Sequence, residues 1–60
     1  MTSKEKKSLI EHYAATYITE SDRGNSFGAI NAKFNCCVRF YLCEKNAFDK
    51  VVNKLRKANA

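Results

Sequence analysis

Three cysteines, one histidine and a set of spaced lysines are the side chains whose types could do chemistry in this chain. Cys36, Cys37 and Cys43 together with His12 would make a three-cysteine, one-histidine zinc set. The adjacent Cys36 and Cys37, however, lack the two- to four-residue gap of a zinc knuckle. The expectation is no metal and no cofactor, with Cys36 packed as a small apolar residue and Cys37 and Cys43 on the other face. His12 paired with Ser21 or Cys37 would give a nucleophile and a base, but no sequence context adds the group that orients them. Gly24 and Gly28 have neither the spacing nor the following lysine of a phosphate loop. A non-enzymatic protein is expected.

The basic side chains carry the positive signal. Lys50, Lys54 and Lys57 follow one another at i, i+4 and i+7, and Lys33, Arg39 and Tyr41 alternate along a second segment. The cations can track phosphates, and Tyr41 can stack on a base. The same surface suits an acidic face on a protein, with Arg and Tyr as anchors. The expected function is a small basic binding protein, a regulator associated with DNA or RNA. The alternative is a stoichiometric protein-binding inhibitor or adaptor acting on a larger machine.

Length and composition bound these readings. A chain of 60 residues buries only about 60% of the surface its unfolded form exposes, which leaves room for one core and little for a water-excluding cleft. One domain over 1–60 is expected. The charge is uneven: residues 1–22 carry a net −1 and residues 23–60 a net +6. The odd, crowded cysteine set fits reduced thiols better than a disulfide framework. Glu11 and His12 interrupt any signal-peptide pattern, and no apolar run is long enough for a membrane span. A cytoplasmic protein with no membrane partner is expected. Richness in Lys, Asn, Phe and Tyr is the balance of an AT-rich coding sequence, common among phage and mobile-element products.

Three elements must position these side chains. Leu9, Ile10, Tyr13, Ala14, Tyr17 and Ile18 form one helical stripe and predict a helix over 3–19, capped by Thr2 or Ser3. Ser21 to Ser26 is a breaker cluster. A second helix is predicted over 46–58, with Phe48, Val51, Val52 and Leu55 facing inward.

Between them, apolar residues occupy the even positions from Ile30 to Leu42 and mostly polar ones the odd positions, the period of a half-buried strand. A strand over 35–43 is predicted, folded against 27–31 through Ala32–Asn35 as a hairpin, or paired with its copy in a homodimer. The expected fold is α+β in the order α-β-β-α, two helices on one face of an antiparallel hairpin. Phe27, Ile30, Phe34, Cys37, Val38 and Tyr41 also fit one helical face, so the alternative is all-α. Its outline is that of a helix-turn-helix, broken at Asn35-Cys36, and it favours a protein that reads a DNA groove.

Overall fold

The computed structural model describes residues 2–58. Helix α1, Ser3–Asp22, starts where Thr2 Oγ1 accepts the Glu5 backbone N–H at 3.2 Å and donates to Glu5 Oε1 at 3.1 Å. The Thr2 hydroxyl caps the helix, and the Glu5 carboxylate holds that hydroxyl in place. It ends at Gly24, whose φ of +79° is open to glycine without a steric penalty. Asn25 then turns the chain. Its backbone N–H bonds Glu20 O at 2.8 Å and its Nδ2 donates to Glu20 Oε2 at 2.7 Å. Its Oδ1 accepts from Gly28 N–H at 3.1 Å, capping helix α2, Ser26–Phe34. A Cβ on Gly28 would come within 2.8 Å of both Asn25 Nδ2 and Glu20 Oε2, so glycine leaves room for this clasp.

Helix α2 does not stop at Phe34. It widens into a π-helical turn over Asn35–Arg39, closed by Phe40 N–H to Asn35 O at 3.0 Å. The chain leaves this turn through Tyr41, a non-glycine residue at φ +50°, and Leu42 N–H returns to Cys36 O at 2.9 Å. Helix α3, Lys45–Ala58, follows. Both α2 and α3 pack on α1, and they meet each other mainly through the π turn.

The core is Ala14, Cys36, Leu42, Phe48 and Val52, with Ile10, Tyr13, Tyr17, Ile18, Val51 and Leu55 around it. Phe48 is fully buried and meets Tyr17 edge to face at 5.6 Å between ring centres, an orientation aromatic quadrupoles favour. The stripes expected for α1 and α3 therefore point inward except at Leu9, which is 36% exposed.

The expected α+β fold is overturned. No strand occurs among the described residues, and the all-α alternative fits. With the strand go the hairpin and the homodimer built on strand pairing. The helix-turn-helix break does not occur at Asn35-Cys36 either, since α2 continues through both residues as the π turn.

The reason lies in which apolar residues face α1. Ala29, Ala32 and Cys36 are buried, at i, i+3 and i+7, a helical repeat of small side chains. Side chains this small allow close helix packing, and α2 packs along α1, whose Ala14 is fully buried in one cluster with Cys36. The larger residues that a strand would have put inside are outside: Ile30 is 64% exposed and Phe34 54%. Among the described residues, no helix is long and apolar enough to cross a membrane.

Candidate functional site

Among the described residues, two helix faces expose a row of apolar or basic side chains. The first is the outer face of α2. Phe27, Ile30 and Phe34 lie at i, i+3 and i+7, and Phe27 is 88% exposed. The stripe runs on to a shallow hollow lined by Ile30, Lys33, Phe34, Cys37, Val38 and Lys45. Two lysines border it: the Lys33 ammonium is held by Asp49 at 2.9 Å, and Lys45 makes no ion pair among the described residues.

The second face is on α3. Lys50, Asn53, Lys54 and Lys57 are exposed on one side of the helix. Lys50, Lys54 and Lys57 make no ion pair among the described residues. Lys54 also meets Lys6 and Lys7 of α1 around a hollow floored by Ile10, Val51 and Leu55, with Ser3 and Glu11 at its edge. The other flank of α3 is neutralised: Asp49 holds Lys33 at 2.9 Å and Arg56 reaches Asp22 at 3.3 Å.

The residues singled out in the sequence thus separate. Lys50, Lys54 and Lys57 stay together as expected for a helix. Lys33 is half-buried and engaged with Asp49, and that hydrogen bond raises its pKa. Arg39 lies with its guanidinium 5.4 Å from the Phe40 ring centre, a cation–π distance. The Phe40 ring in turn stacks on Tyr13 at 6.1 Å. Tyr41 is 78% exposed beside them. The shared face of Lys33, Arg39 and Tyr41 belonged to the strand and does not exist in the helix. His12 is exposed and sits edge-on to Tyr13, away from the cysteines.

Sequence reasoning missed Lys6 and Lys7, because the net charge of residues 1–22 hides two cations on one helical face. It also missed the α2 stripe as a surface, since large apolar residues at helical spacing ordinarily face inward. Compared with protein-family models, with curated proteins and with solved structures, the chain matches none.

Proposed function

We propose that this chain is a non-enzymatic, intracellular protein-binding module, an inhibitor or adaptor, whose α2 stripe receives an amphipathic helix with acidic flanks. The observation that carries this reading is the exposure of Phe27, Ile30 and Phe34 on one helical face. Burying a large apolar side chain is worth about 1.5–3 kcal/mol, and this stripe leaves that gain untaken by the fold. Lys45, which borders the hollow and makes no ion pair among the described residues, favours a partner with a carboxylate beside its apolar face.

A photo-crosslinking residue placed at position 27 or 34 tests it in cells. Discrete adducts with a second, acidic protein are expected there, and none from the exposed Thr19 on α1. Absence of adducts at 27 and 34 would overturn the reading. An adduct of two copies of this chain would do the same, by assigning the stripe to self-association.

The α3 face supports a second reading, contact with DNA or RNA. Its carrying observation is the unpaired stripe of Lys50, Lys54 and Lys57 extended by Lys6 and Lys7. Affinity should then fall steeply with salt, by a slope near 0.9 per phosphate neutralised on duplex DNA, that is roughly one unit per lysine. Lys50→Gln with Lys54→Gln should flatten that slope by about two units. No binding to either nucleic acid at low salt would end this reading.

A further inference from the structure

Cys36, Cys37 and Cys43 are the thiols of the chain, and the structure gathers all of them at one point. Cys36 Sγ and Cys43 Sγ are 3.6 Å apart, and the three sulfur atoms lie within 4.8 Å of one another. Thiolates bound to one metal at about 2.3 Å sit roughly 3.8–4.0 Å from each other. Side-chain shifts of under about an ångström therefore close the set around a single ion.

Two costly pieces of backbone bring the sulfurs together. The π turn narrows the angle between successive side chains, so that neighbours Cys36 and Cys37 reach the same side. Tyr41, at φ +50°, reverses the chain and returns Cys43 to them, held by the Leu42 N–H to Cys36 O bond. Single π turns and left-handed non-glycine residues are destabilising and concentrate at functional sites. Here both serve one cluster.

The donor set is sulfur alone. No His, Asp or Glu joins the group among the described residues. Closed zinc sites ask for four protein ligands, whereas three soft thiolates with no fourth donor suit a soft monovalent ion in trigonal coordination. Cys37 also lines the hollow beside Ile30 and Lys33, which gives an ion a path from solvent.

We propose that Cys36, Cys37 and Cys43 form a three-thiolate site for a soft monovalent metal cation of the Cu(I) class. Free thiols are mainly S–H at neutral pH, and the thiolate is the form that binds a metal. Binding exchanges three S–H protons for three metal–sulfur bonds: one Cu(I) enters, three protons leave to solvent, and no electron is transferred. The resulting site carries a net −2, partly offset by the Lys33 ammonium, whose field acts on Cys37.

Anaerobic titration of the reduced protein with Cu(I), against a chromophoric Cu(I) chelator, tests the site. Expected are one ion per chain, release of three protons, and a sulfur-to-copper absorption band in the ultraviolet. Cys36 is fully buried, so the half-buried positions carry the mutational test. Cys37→Ser and Cys43→Ser should each keep the helical circular dichroism of the parent. Each should weaken binding by more than the roughly 10–100-fold that loss of a mere outer-shell partner costs. Unchanged affinity in both variants, or a stoichiometry of one ion per two chains, would overturn the site. Displacement of Cu(I) by equimolar Zn(II) would overturn its assignment to a monovalent ion.

Discussion

Lys33 Nζ lies 2.9 Å from Asp49 Oδ1, a side-chain bond that ties α2 to α3 across sixteen positions of sequence. The Lys33 side chain is 29% exposed and that of Asp49 52%, so solvent screens the pair and its worth stays under about 1 kcal/mol. The bond raises the pKa of Lys33 above 10.5. A raised folded-state pKa means the contribution is complete at neutral pH and vanishes as pH climbs through that raised value. Lys33→Met should therefore lower the urea midpoint slightly at pH 7, and the difference from the parent should fade above pH 10.5.

The outward face of α2 and the inward face of α3 predict opposite mutational responses. Ile30→Asp changes an exposed residue and should move stability by no more than about 0.5 kcal/mol. A pleated ribbon with Ile30 inside would have unfolded on the same change. Phe48→Ala empties the centre of the core and should cost about 3–5 kcal/mol. That approaches the whole stability of about 3–9 kcal/mol for a chain this long. Thermal unfolding of the two variants, side by side, checks both.

Alkaline pH should loosen the fold through Cys36. Its thiol is fully buried between α1 and α3 with Cys37 and Cys43 beside it, and its pKa rises from 9.0 to about 12. The unfolded chain releases this proton earlier than the folded one, so stability is full below pH 9.0 and declines as pH rises toward 12. One such group gives a slope approaching about 1.4 kcal/mol per pH unit. Urea midpoints between pH 8 and pH 11 should show that decline, and Cys36→Ala should flatten it.

Tyr41 occupies the left-handed region at φ +50° with its ring in solvent. That conformation costs an L-residue roughly 1–2 kcal/mol, and glycine escapes it at a loss of about 0.5–1 kcal/mol of unfolded-state entropy. Tyr41→Gly should raise stability by up to about 1 kcal/mol, and Tyr41→Val should lower it. Differential scanning calorimetry reads either change. A gain in Tyr41→Gly would also mark Tyr41 as a residue whose side chain the fold does not use.

Two helices were legible in the sequence because each shows one apolar side. Ala14, Tyr17 and Ile18 on α1, and Phe48 and Val52 on α3, face the core as their spacing requires. Thr2 caps α1 through a hydroxyl whose place before Glu5 is visible in the chain. The middle was misread because α2 is apolar on two sides. Ala29, Ala32 and Cys36 face inward while Phe27, Ile30 and Phe34 face outward. Read together, the two sides imitate a period of two. Size deepened the error: the expectation that the larger apolar residues are the buried ones fails where helices meet through alanine.

Of the candidate surface, the lysines of α3 were legible as a group because one helix carries them. Lys33 was readable as a cation but not as a partner of Asp49, which lies on another element. The gathering of the cysteines depends on a π turn and a left-handed tyrosine, neither of which has a sequence period. Adjacent Cys36-Cys37 argues against a shared ligand set in an ordinary helix, and the widened turn removes that objection.

Because α2 and α3 lean on the same long helix and meet each other chiefly through the π turn and the Lys33–Asp49 bond, their outward faces point away from that shared seam. Substitutions on the phenylalanine side and on the lysine side should then sum thermodynamically. A molecule occupied on one flank would keep the opposite flank open for a second guest.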